Sequence, residues 1–191
     1  MNHPIIIFGV DPGTLFTGYG VIKANGSRVT LLDVGVIKNP AHDSMPLRLR
    51  KIYSSLCDII SRFRPDEFAI ETAFYSKNAQ SALKIGQARG VAILAGVNFE
   101  IPVTEYSPRE VKKAVVGNGA ASKNQVQYMM MKLFQLRPAP KLFDATDALA
   151  VAVCHSHRIN APRAGFKNWK SYIEAHPEQV VRVDGTAKKR P

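Results

Sequence analysis

A chain of 191 residues, 46% of them hydrophobic, can bury a core of ordinary domain size, and none of its apolar runs reaches the ~18 residues of a membrane span. The N-terminus MNHPIIIFGVD has neither the basic start nor the small-residue cleavage site of a secretion signal, and two isolated thiols, Cys57 and Cys154, fit a reducing, cytoplasmic compartment better than a disulfide framework. A formal net charge of +11 makes a polyanion, nucleic acid first, the expected partner.

In chain order, IIIFGV is a short β-branched run that reads as a buried strand. TGYGVIKA and RVTLLDVGVI follow as two more strands around NGS, a hairpin signal. Ser44 opens a helix over about 45–63, with Ile52, Leu56, Ile59, Ile60 and Phe63 as its buried stripe, and Pro65 ends it. EFAIE is a fourth strand, 79–97 a second helix and PVTEYS a fifth strand. Two helices surround the loop GNGAAS, and DATDALAVAVCHSH, apolar almost all round, reads as a buried last helix. The two helical crossovers make strands one, four and five parallel, so the expected fold is α/β: a mixed five-stranded sheet flanked by helices. Residues 1–160 are expected to form this domain. Residues 161–191 read as a basic, largely mobile tail, and the stretch from 158 to 191 alone carries a net +5.

The chemistry-bearing residues are acidic. Asp11 closes the first strand and Glu71 the fourth, so parallel neighbours bring both to one sheet edge, where open α/β sheets bind ligands. Asp144 and Asp147 stand three apart at the start of the last helix and share a face. Four converging carboxylates would repel one another, and hard divalent cations, Mg²⁺ or Mn²⁺, resolve that conflict. A pair of such ions ~4 Å apart suits phosphodiester hydrolysis. Taken singly, Asp144 also fits a plain helix cap, Asp147 a first-turn charge and Asp11 a turn former before Pro12-Gly13. Gly13, Gly18 and Gly20 are expected to clear the edge for a phosphate backbone.

The segments GVDPGTLFTGYGVI, FAIETAFYSKNAQSALKIGQARGVAI, VKKAVVGNGAASKNQVQ and DATDALAVA closely resemble the RuvC family of Holliday-junction resolvases, from about residue 5 to about 157. The resemblance implies a ribonuclease-H-like fold and a homodimeric, metal-dependent endonuclease that resolves four-way DNA junctions, with a junction-migration motor complex as partner. It implies that Asp11, Glu71, Asp144 and Asp147 hold two Mg²⁺ ions per site, with Mn²⁺ as a substitute. Lys112 and Lys123 match family lysines near the scissile phosphate, and Phe74 matches an aromatic that enters the opened junction. Tyr75, Lys77, Arg109 and Lys113 are assigned to DNA contacts; for the two aromatics, local packing is the alternative. D-x-G-T also begins the first phosphate loop of sugar-kinase and actin-type ATPases, but this chain is too short for two such lobes and shows no second phosphate loop. His155 and His157, two apart on a helix, cannot hold one ion together and read as structural or solvent-facing. The small residues Ala82, Gly86 and Gly90 imply close packing of the second helix, on the sheet or on a symmetry-related copy.

Overall fold

The first hairpin turns on Gly26, whose φ of +58° is the left-handed conformation that a tight two-residue turn requires. It joins β2 (Phe16–Asn25) to β3 (Arg28–Lys38), with Asn25 opposite Arg28. β1 (Ile5–Asp11) lies antiparallel to β2, while β4 (Glu67–Glu71) and β5 (Val103–Tyr106) add on in parallel to complete a sheet of order β3-β2-β1-β4-β5. The computed structural model describes residues 3–72, 79–136 and 142–160.

Two apolar layers sandwich the sheet. On one face, α1 (Met45–Phe63) and α2 (Ala79–Asn98) cover Phe8, Val10, Val21, Phe68 and Ile70. The expected stripe of Ile52, Leu56, Ile59 and Ile60 is buried there, with Phe63 packed at its margin. On the other face, α3 (Pro108–Val116), α4 (Lys123–Leu133) and α5 (Leu142–Asn160) cover Ile7, Ile22 and Ala69. α5 is the central element of that layer, and every residue from Ala145 to Ser156 is buried. A helix apolar on nearly all sides is stable only when enclosed like this.

Some local expectations change. Ser44 stands at the N-cap of α1, yet its side chain makes no capping hydrogen bond. The capping boxes are instead at Ser107–Glu110 and Ser122–Gln125, at the starts of α3 and α4. Of the two thiols, Cys154 is buried and desolvation pushes it up to about 12, whereas Cys57 is only half-buried. Gly86 and Gly90 do not pack on the sheet: a Cβ at either would meet nothing within 4 Å.

Candidate active site

Strand register brings the first two acids together. Val10 pairs with Ile70 in the parallel β1–β4 ladder, so Asp11 and Glu71 follow side by side at the same edge. Alternation along the strands sends Phe8, Val10, Phe68 and Ile70 into the α1–α2 layer, and so turns Asp11 and Glu71 toward α5. Beyond Glu71, the Thr72 N–H donates to the Tyr106 carbonyl at 2.8 Å, holding the end of β4 against β5.

The remaining two acids arrive on α5, and glycines let that helix approach. A Cβ at Gly18 would lie 1.9 Å from the Asp144 carbonyl oxygen, one at Gly9 2.3 Å from that of Ala148, and one at Gly20 2.6 Å from Leu149 Cδ2. The strand glycines therefore make room for the helix that carries the acids, which corrects the expectation that Gly18 and Gly20 clear the edge for DNA. At Gly13 a Cβ would meet the Phe16 carbonyl at 2.2 Å, so that glycine serves the tightness of its own turn. Asp144 lies inside the first turn of α5, two residues past its start at Leu142, which removes the simple cap reading.

This placement has electrostatic consequences. Desolvation by burial, followed by the charge of Asp147, raises Asp11 to about 7; Asp144 adds to this and Lys123 opposes it. Burial, then Asp11 and Asp147, raises Glu71 to about 8, opposed by Lys123 and Lys112. The Lys123 ammonium donates to Asp147 Oδ2 at 3.0 Å. Burial works against its charge, but the bond to Asp147 and the fields of Asp147, Asp11 and Glu71 prevail and raise its pKa. Glu71, Asp147, Lys112 and Lys123 line a cleft of about 150 Å³ together with Pro108, Val111 and Val126.

Among the described residues, no three His, Cys, Asp or Glu side chains already close on a single metal position. Asp147 is engaged by a lysine instead, which supplies one positive charge where the acids call for more. The donor set nevertheless fits a hard divalent ion: Glu71 and Asp147 line one cleft, and Asp11 lies close enough to feel the charge of Asp147 and to act on Glu71, so burial and neighbouring carboxylates together raise Asp11 and Glu71.

The family model described as "Crossover junction endodeoxyribonuclease RuvC" matches residues 7–155. This chain belongs to the RuvC family. The curated RuvC of Histophilus somni is 52% identical over 155 residues, covering 81% of each chain. That of Cytophaga hutchinsonii is 41% identical over 185 residues, covering 97% of this chain and 92% of its own. Thermus thermophilus RuvC, solved in complex with a Holliday junction substrate, superposes with a TM-score of 0.75 at 30% identity, covering 82% of this chain and 95% of that one. The yeast mitochondrial resolvase Ydc2, at 15% identity and a TM-score of 0.61, shares the fold. Membership in the RuvC family implies a divalent-metal-dependent nuclease.

The other site residues expected from RuvC resemblance are spread more widely. Lys112 is half-buried beside Glu71, but Lys113 is exposed one position further along α3. Arg109 is exposed and lies over the following loop, where a Cβ at Gly119 would meet its Cγ at 2.7 Å. Phe74, Tyr75 and Lys77 lie outside the described residues. His157 is exposed, whereas His155 is buried with Nδ1 2.8 Å from Tyr106 Oη. Two polar residues escaped sequence reading altogether. Buried Thr17 and Asn39 bind the turn after Asp11, and neither is marked by local spacing, because their partners lie in that turn and up to 25 residues away.

Proposed function

We propose that this chain resolves four-way DNA junctions by paired symmetric nicks during homologous recombination and repair, acting in the cytoplasm as a homodimer. The observation that carries the reading is the single cleft edge at which Asp11, Glu71 and Asp147 meet the cations Lys112 and Lys123, in a chain of the RuvC family.

Asp11, Glu71, Asp144 and Asp147 would hold two Mg²⁺ ions, with Mn²⁺ able to replace them. Bound there, such ions would lower the pKa of a water toward neutrality and offset charge on the leaving oxygen. The chain's own residues do the rest. In-line attack on the phosphodiester leaves a 3′-hydroxyl and a 5′-phosphate. Lys112 and Lys123, at the rim, offset the charge that develops on the phosphate. Arg109, Lys113 and Lys77 hold the DNA backbone, and Phe74, with Tyr75, stacks on bases at the junction centre. Residues 1–160 form the nuclease domain, and 161–191 a basic tail that adds charge. A motor that migrates junctions is the partner that delivers substrate.

The dimer reading draws on α2. Leu83, Leu94 and Val97 are exposed at 70%, 50% and 55% and lie at helical spacing with the open glycines Gly86 and Gly90. A two-fold copy seated there would cover an apolar stripe and supply the second active site that paired nicks require.

The deciding experiment is cleavage of four-way, duplex and single-stranded DNA, each with and without Mg²⁺. Mg²⁺-dependent symmetric nicks confined to the four-way substrate are expected. Equal cutting of duplex would remove the junction specificity, and no cutting would remove the nuclease.

A further inference from the structure

Resting on the nuclease reading, we infer that Thr17 and Asn39 shape the turn after Asp11 into a backbone binding site for a DNA phosphate flanking the scissile one. The turn Pro12–Leu15 lies between β1 and β2 at the acidic edge. Its carbonyls are drawn inward one after another. Thr17 Oγ1 donates to the Gly13 carbonyl at 2.6 Å. The Asn39 side-chain amide donates to the Thr14 carbonyl at 2.9 Å, and the Asn39 backbone N–H donates to the Leu15 carbonyl at 2.9 Å. The same side-chain amide reaches the Arg48 carbonyl in α1 at 3.4 Å, which ties the turn to the helix layer.

Two consequences follow. With three successive carbonyls committed to the interior, no acceptor among the described residues takes the N–H groups of Gly13, Thr14 and Leu15. Consecutive N–H groups left without an acceptor in a turn are available to donate to an anion. An anion arriving beside Asp11 in a DNA nuclease is a phosphodiester. The second consequence concerns Asn39 itself, which is 6% exposed and whose Oδ1 has no hydrogen-bond partner among the described residues. Burying an amide with its acceptor unmet is costly. An apolar residue would fill the space more cheaply, so the donor side of Asn39 is what the site retains. Both residues act through the turn and are positioning residues.

The test uses the full chain and four-way junctions carrying one neutral methylphosphonate at a time near the cut. Junction affinity without metal and single-turnover cleavage with Mg²⁺ are both measured. In the wild type, one flanking position should weaken binding and cutting by about tenfold, the value of one charge-assisted hydrogen bond. In Asn39→Ala and Thr17→Val, the unmodified junction should already show that loss, and the same methylphosphonate should add almost nothing. Thr17→Val keeps the buried shape and removes only the donor, so it decides the matter if Asn39→Ala fails to fold. A wild type indifferent to every flanking methylphosphonate overturns the inference. So do variants as sensitive as the wild type, including ones that merely melt earlier. A wild type that cuts no junction at all indicts the nuclease reading instead.

Discussion

Gly18 in β2 and Asp144 in α5 meet backbone to backbone: the missing Cβ of the glycine would stand 1.9 Å from the Asp144 carbonyl oxygen and 3.2 Å from the Ala145 nitrogen. A flexible side chain could move aside, but a helix cannot without carrying its acids along. Gly18→Ala should lower stability by about 1–3 kcal/mol through overpacking. It should slow cleavage by about a hundredfold or more, because displacing catalytic groups by ~1 Å has that cost. Melting and single-turnover cleavage measured together check this, and an alanine variant that cuts normally would show that α5 is free to shift.

Asp11→Asn, Glu71→Gln and Asp147→Asn should abolish Mg²⁺-dependent cutting while junction binding survives, since each removes charge from the proposed metal site and leaves the basic surface. Lys123→Gln should retain metal binding but cut more slowly, because the cation beside Asp147 is lost. Binding by all variants should weaken steeply with salt as counterions are released from the DNA. Wild-type cutting by any of the three acid variants would exclude that residue as a metal ligand.

Stability of the metal-free protein should depend on pH in two opposite ways. Folding raises Asp11 from 3.8 to about 7 and Glu71 from 4.5 to about 8, so the folded state binds these protons more tightly than the unfolded one. Their contribution is complete below the ordinary carboxylate range and is lost as pH rises through about 7 to 8. His155 acts in the other direction. Burial, then Arg158, lowers it from 6.5 to about 4, so stability falls as pH drops across that interval. Melting curves in chelator should show Asp11→Asn removing part of the loss of stability between about pH 4 and 7, and His155→Gln removing the opposite loss as pH falls from 6.5 to about 4. An Asp11→Asn slope identical to wild type would mean that Asp11 ionises normally.

The α2 surface makes a sharper prediction through Gly90 than through its leucines. Because a Cβ at Gly90 meets nothing in one copy, Gly90→Ala should stabilise the isolated helix by about 1 kcal/mol. If a second helix approaches there, the same methyl group should weaken the dimer. Sedimentation and melting across a concentration series would separate the two effects, and Leu94→Glu should give a folded monomer. Dimers of unchanged affinity in both variants would move the interface elsewhere.

The stacking role proposed for Phe74 is tested through junction specificity, which the proposed metal-binding acids do not report. Base stacking on an aromatic is worth ~1–3 kcal/mol by alanine substitution. Phe74→Ala should therefore cut junctions about tenfold to a hundredfold more slowly at nearly unchanged melting temperature, and Phe74→Tyr or Phe74→Trp should retain more activity. A large drop in melting temperature, or full activity, in Phe74→Ala would replace stacking by packing.

The sequence by itself determined the five strands and the helix stripes, because each is announced locally by period-two or period-3.6 patterning; it also singled out Asp11 and Glu71 as charges that end apolar runs, and Asp144 and Asp147 as candidates by helical spacing and family resemblance. The alternation that turns Asp11 and Glu71 to the same face was also readable, once the strands were known to be parallel. What only the tertiary structure decided are relations across long chain separations. That Gly9, Gly18 and Gly20 accommodate α5 depends on a backbone approach between segments more than 100 residues apart. That Asp147 is held by Lys123 while Lys113 is exposed depends on how two capped helices are set against α5. Gly86 and Gly90, for which packing on the sheet was one of two expectations, are open within one copy because the helix turns its alanines, Ala88, Ala92 and Ala95, to the core instead. A glycine in a sequence states that a side chain is missing; only the packed fold states which neighbour occupies, or leaves open, the space it vacates.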